Sequence, residues 1–128
     1  MVGVVIVCHS TDIVDNLIDF LNVFKTSDFN IVNGSDKHIP FGTTTEFIVE
    51  SIKKANDGEG VLVLVDLGSS IDMALQAKEM LKGQIDVKIA DAPILEGAIS
   101  AVAGNDIDVD LIQLKTIAED SKNFRKVK

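Results

Sequence analysis

His9 is the side chain of this sequence best placed to do chemistry. It closes an unbroken apolar run, Val2 to Cys8, and is followed at once by polar Ser10, Thr11 and Asp12. A continuous β-branched run reads as a strand buried on both faces, and the polar residues after it read as a helix start. An imidazole at that junction stands at the carboxyl end of a strand, where open α/β sheets bind their ligands. An unperturbed imidazole titrates at about 6.5, so near neutral pH it is largely uncharged and nucleophilic, as group transfer requires. A second apolar run, Val61 to Asp66, ends in an acid. In the common doubly wound order the first and third strands are neighbours, which would bring Asp66 beside His9. The carboxylate could then accept a hydrogen bond from one ring nitrogen, fix the tautomer and leave the other lone pair pointing outward. It would also stabilise the cation left after attack on phosphorus.

Two helix starts open beside the same crevice, after Ser10–Thr11 and after Gly68–Ser69–Ser70. Unpaired N–H groups and the positive end of the helix dipole suit phosphate oxygens there. Ser10, Thr11, Gly68 and Ser69 are therefore the expected phosphate-binding residues, Gly68 by allowing close backbone approach. Neither loop contains Lys or Arg, which fits a transient phosphoryl group better than a permanent nucleotide. Each feature also has a plain structural explanation. A strand-end His can simply be hydrogen-bonded, an Asp can cap the helix behind it, and Gly-Ser-Ser is ordinary turn chemistry. Cys8 reads as a small buried side chain. No metal site is expected, because Cys8 and His9 point to opposite faces of a strand and there is no further Cys. His38 is expected to be exposed in a mobile loop, and Glu96 to make a favourable contact with a helix dipole.

The elements that must position these residues alternate. Val2–Cys8, Val61–Asp66 and Val87–Ala90 read as buried parallel strands, with Phe29–Asn33 a weaker fourth. Between them, helical spacing is expected over Asp12–Phe24 (Ile13, Leu17, Phe20, Leu21, Phe24 inward), Thr43–Ala55 and Ser69–Lys82 (Ile71, Ala74, Leu75, Leu81 inward). Two more helices are expected, from Pro93 to about Gly104 and from Val109 to about Lys122, followed by a frayed basic tail over 122–128. The pattern predicts an α/β fold: a doubly wound, mainly parallel sheet of four to five strands flanked by helices, as one domain over 1–128. Asn33–Gly42 is the one long irregular stretch, and such loops over strand ends are often functional.

Composition narrows the function classes. The chain has 128 residues and a formal net charge of −8, with no Trp, no Tyr and one Cys. An acidic surface repels phosphate backbones and anionic lipid, so nucleic-acid and membrane roles are disfavoured. The N-terminal stretch lacks the basic region of a signal peptide, no apolar run could span a bilayer, and a lone Cys suits a reducing compartment; the expectation is cytoplasmic.

Val5-Ile-Val-Cys-His9-Ser10 resembles the phosphorylation site of mannose-type IIA domains of the bacterial sugar phosphotransferase system. Leu64-Val-Asp66-Leu-Gly68-Ser69 and Asp91-Ala-Pro93-Ile-Leu-Glu96-Gly97-Ala98 narrow the resemblance to the phosphotransferase subunit of phosphoenolpyruvate-dependent dihydroxyacetone kinase. The resemblance implies that His9 carries phosphate on Nε2 with Asp66 orienting it. It implies HPr as donor, and as acceptor ADP held in the kinase's nucleotide-binding subunit, where the ATP regenerated phosphorylates dihydroxyacetone. It also implies a homodimer, no resident cofactor, and no fused HPr-like extension here. A IIA component of a mannose-family sugar permease and a non-catalytic regulatory IIA-like domain stay open as alternatives. The loop after the second strand departs from the family's glycine-rich, acidic form: here it is Asn33-Gly-Ser-Asp-Lys-His-Ile-Pro-Phe-Gly42.

Overall fold

Four short apolar segments pair side by side and all run the same way. The computed structural model describes residues 1–128. Its strands are β1 (Gly3–Val7), β2 (Ile31–Asn33), β3 (Val61–Val65) and β4 (Val87–Ile89), in the order β2-β1-β3-β4, every pairing parallel. The helices are α1 (Thr11–Leu21), α2 (Thr45–Ala55), α3 (Ser69–Met80), α4 (Ile94–Gly104) and α5 (Leu111–Asp120), with a 3-10 turn at Ser121–Asn123. This is the doubly wound α/β fold expected, with β1 and β3 at its centre.

β1 and β3 have no polar face because both sides are covered. On one side Val4, Ile6 and Cys8 join α1, α4 and α5 in a single core, through Val14, Leu21, Ala98, Ala101 and Leu114. On the other, Val5 and Val7 pack with Ile48, Ile52, Ala74 and Ala77 of α2 and α3. Alternation along β1 therefore assigns Cys8 to the first side and His9, next in phase after Val5 and Val7, to the side of α2 and α3.

Several boundaries contract. The strands stop before Cys8, Asp66 and Ala90, and the second begins at Ile31 rather than Phe29. α1 ends at Leu21, three residues before Phe24, and α3 ends at Met80. Pro93 has a helical φ of −58° but an extended ψ of 133°, so it sits at the cap and α4 begins at Ile94. The inward faces also differ in part. Ile13 and Phe20 of α1, and Ile71 and Leu75 of α3, are exposed, while Val14, Ala74 and Ala77 are fully buried. On α1 the inward stripe falls on Val14, Leu17, Ile18 and Leu21; on α3 small residues let the helix lie close to the sheet. The basic tail is not free throughout: Lys122 pairs with Asp91 at 3.3 Å and Lys126 with Glu96 at 3.0 Å.

The Asp91–Ala98 motif has a packing role in this structure. A Cβ on Gly97 would meet Ala92 Cβ at 2.8 Å and Leu64 Cδ2 at 3.2 Å, so only glycine lets α4 approach β3 this closely.

Candidate functional site

The β1–β3 register delivers His9 to Asp66. Val7 pairs with Val65, and one further ladder bond runs from the Asp66 N–H to the Val7 carbonyl at 3.1 Å. Just beyond it, Asp66 Oδ2 accepts two hydrogen bonds from His9, one from the ring at Nδ1 (2.8 Å) and one from the backbone N–H (2.9 Å). A single carboxylate oxygen thus holds both the ring and its anchor. The His9 side chain is about one-third exposed at 35%, while Asp66 is 12% exposed. The base is held from the buried side and the ring opens to solvent.

Burial disfavours the charged form of Asp66, but the His9 ring and backbone N–H groups outweigh it, aided by the Leu67 N–H and the Ser70 hydroxyl. The carboxyl is held below its ordinary value. Its other oxygen, Oδ1, is buried with no hydrogen-bond partner of good geometry. With Asp66 ionised, Nδ1 carries the ring proton and Nε2 carries the lone pair. Burial pushes the neighbouring Cys8 thiol above its ordinary value, with the Asp66 carboxylate adding to the rise. Cys8 is therefore a protonated, buried side chain rather than a competing nucleophile.

The start of α3 packs against the ring. Ser69 Oγ lies 3.2 Å from Nε2, and buried Ser70 places its Oγ 3.4 Å from Nδ1. Gly68 makes this possible. Its φ of 57° and ψ of −126° form a turn that residues carrying a Cβ disfavour, although a Cβ there would meet nothing within 4 Å. Gly68, not Asp66, occupies the cap position of α3, so the helix-cap explanation of Asp66 fails.

The other two expected residues are turned elsewhere. The Ser10 hydroxyl accepts from the Ile13 N–H at 3.3 Å and caps α1. The Thr11 hydroxyl donates to the Ser35 carbonyl at 3.4 Å and accepts from Asn33 Nδ2 at 3.0 Å. Both residues line a groove of about 350 Å³ together with His9, Asp12, Asp36 and Lys37, but their hydroxyls are engaged. Only their backbone N–H groups, at the N-terminus of α1, are free to face an anion.

The other wall of that groove is the loop after β2, through Asp36, Lys37, Ile39, Pro40, Phe41 and Gly42. The Gly42 N–H donates to the His9 carbonyl at 2.8 Å, and the Asp36 N–H donates to the Gly42 carbonyl at 3.0 Å. Asp36 Oδ1 accepts the His38 N–H at 2.9 Å, and the His38 side chain is exposed and outside the groove. The loop is stitched to the backbone of His9 itself. Ser70 and Gly42 contact His9 and Lys37 lines the same groove, and motif spacing named none of the three as site residues. Ser70 stood next to Ser69 in the same turn, whereas nothing local marks Lys37 or Gly42. No group of three or more His, Cys, Asp or Glu side chains converges as a metal site would require.

Comparison with known proteins assigns a family. The family model described as PTS system fructose IIA component (EIIA-man) matches residues 3–115. The PEP-dependent dihydroxyacetone kinase phosphoryl donor subunit DhaM of Escherichia coli K12 is 34% identical over 118 residues, spanning 84% of this chain and 25% of that protein. The phosphoryl donor subunit DhaM of PEP-dependent dihydroxyacetone kinase 2 from Listeria innocua is 30% identical over 104 residues, spanning 79% of this chain and 83% of its own. The chain thus spans about a quarter of the enterobacterial relatives and most of the Listeria one. A crystal structure of a protein of unknown function, EF1359, superposes with a TM-score of 0.76 at 24% identity, covering 91% of this chain and 92% of that one, and so shares the fold. The chain belongs to the EIIA-man family of phosphotransferase-system IIA components and groups within it with the DhaM-type phosphoryl donor subunits of PEP-dependent dihydroxyacetone kinase.

Proposed function

We propose that the chain is a phosphohistidine carrier acting as a single IIA domain over 1–128, loaded by phospho-HPr and discharged to ADP bound in the nucleotide-binding subunit of dihydroxyacetone kinase. The observation that carries this reading is the His9–Asp66 contact at 2.8 Å, which leaves Nε2 facing solvent beside a helix start. In loading, the Nε2 lone pair attacks phosphorus. The Nε2–P bond forms as the P–N bond of the donor's phosphohistidine breaks, and the Nδ1 proton stays in the hydrogen bond to Asp66. The positive charge developing on the ring is stabilised by that carboxylate. The Ser69 hydroxyl turns from Nε2 to the phosphoryl oxygens, which the backbone N–H groups at the starts of α1 and α3 also face. In discharge a β-phosphate oxygen of ADP attacks, the Nε2–P bond breaks and ATP leaves.

A carrier must dock on proteins at both steps, and the surface around His9 suits that. Each segment framing the ring carries an exposed apolar side chain: Ile13 on α1, Phe41 on the loop, and Leu67 and Ile71 at the start of α3. The net charge of −8 favours a basic docking face on HPr. No helix is long and apolar enough to cross a membrane, and we assign the chain to the cytoplasm as a homodimer.

The test is a discharge assay. The full chain, loaded with phosphoenolpyruvate, Enzyme I and HPr, is mixed with the nucleotide-binding subunit and ADP. Rapid loss of the label with formation of ATP is expected. Retention of the label there, with discharge instead to a sugar-permease component, would replace the kinase with a transport acceptor.

A further inference from the structure

The groove beside His9 contains a cation that belongs to neither helix start. Lys37 lines it, makes no ion pair, and stands on a loop tied to the His9 backbone through Asp36 and Gly42. The other charged residues lining the groove, apart from His9, are Asp12 and Asp36. A phosphoryl group on Nε2 adds a dianion to this acidic wall, and Asp66 lies behind the ring. Backbone dipoles at two helix starts offset part of that charge; a mobile ammonium offsets it directly.

The imidazole lies between the loop and the start of α3. A Cβ built on Gly42 would lie 3.8 Å from His9 Cδ2, the ring carbon bonded to Nε2, while Ser69 Oγ approaches Nε2 from the α3 side at 3.2 Å. A phosphoryl group on Nε2 therefore projects between the α3 start and the loop that carries Lys37. Lys37 is exposed and lines the same groove as His9, and its flexible four-carbon stem lets the ammonium move within that groove.

We propose that Lys37 is a phosphoryl-binding residue, its ammonium closing over the phosphoryl group on His9 Nε2 from the side opposite Ser69. The proposal rests on His9 being the phosphorylated residue. Lys37 then stabilises the loaded chain relative to the loaded donor, and it must be released or displaced before discharge. The ligand it recognises is the protein's own phosphohistidine.

The test measures an equilibrium, because a residue that only helps docking alters rates and leaves the phosphoryl distribution between the free proteins unchanged. Wild type, Lys37→Met and Lys37→Arg are each brought to equilibrium with HPr, Enzyme I and limiting phosphoenolpyruvate, and the phosphoryl distribution between HPr and the chain is read by native gel or mass spectrometry. Lys37→Met should shift the distribution toward HPr by about three- to fivefold, and Lys37→Arg should restore it to within about twofold of wild type. An unchanged thermal midpoint for each variant confirms folding. A Lys37→Met distribution equal to wild type, with His9 loaded in both, overturns the role of Lys37 alone. A wild-type chain that takes no phosphate on His9 overturns the carrier reading beneath it.

Discussion

Ser35 and Cys8 exchange a pair of hydrogen bonds as two residues of adjacent strands would. The Cys8 N–H donates to Ser35 Oγ at 2.9 Å, and the same hydroxyl donates to the Cys8 carbonyl at 2.7 Å. β2 has ended by then, so a side chain completes the ladder that the backbone has left. The residue so held is the one immediately before His9. With the Gly42 N–H on the His9 carbonyl and Asp66 on the His9 N–H, the strand end is fixed from three directions.

Ser35→Ala should therefore leave two buried backbone groups of Cys8 without partners. The expected loss is about 2 kcal/mol, within the range for orphaned buried polar groups. Urea denaturation checks it: a midpoint lowered at unchanged slope is expected, with slower loading of His9. A loss below about 0.5 kcal/mol would show that water replaces the hydroxyl at no cost.

Asp66→Asn keeps size and can still accept the His9 backbone N–H, but it removes the charge that stabilises the ring cation. Loading of His9 should slow by about 100-fold or more, comparable to losing a preorganised electrostatic partner elsewhere. Stability should fall as well, because the groups that hold the Asp66 carboxyl below its ordinary value favour its charged form and lose that charge in the amide. Initial rates of phosphate incorporation, beside a denaturation curve, separate the two effects. Loading at the wild-type rate would remove Asp66 from the chemistry.

Acid should destabilise the fold through its depressed carboxylates, Asp66 and Glu119 among them. Asp66 is lowered by the balance described above. Glu119 is lowered because, against the cost of burial, it accepts the Asp91 N–H at 2.8 Å and pairs with Lys115 at 3.0 Å. A carboxyl whose folded pKa is depressed stabilises the protein above its unfolded value, about 3.9 for Asp and 4.3 for Glu, and loses that contribution as pH falls through the folded value. The contribution of these two groups is thus level between pH 8 and about 5 and falls below about 4. Comparing Glu119→Gln with wild type by thermal melting isolates one of them: the difference should persist at pH 6 and shrink toward pH 3. A difference that grows on acidification would contradict the assigned sign.

Much of this arrangement was legible in the residues. Val2–Cys8 and Val61–Asp66 are continuous because both faces of β1 and β3 are covered, and that continuity places their last residues at one end of the sheet. From neighbouring first and third strands the meeting of His9 and Asp66 follows. The inward stripes of α1 and α3 were less legible. Ile13, Phe20, Ile71 and Leu75 match helical spacing yet face solvent, because spacing alone does not distinguish a core face from an exposed one. Ser35, Lys37 and Gly42 were legible only as members of the long irregular stretch Asn33–Gly42, not as individual contacts. Their relation to His9 depends on how a chain-specific loop folds back across many residues, and no local periodicity encodes that return.

The most direct measurement of the central claim is the mass and site of phosphate after incubation with phosphoenolpyruvate, Enzyme I and HPr. One acid-labile, base-stable phosphoryl group per chain is expected, mapped to His9 and absent from His9→Gln of unchanged thermal midpoint. Incorporation that survives His9→Gln, or that maps to His38, would contradict it.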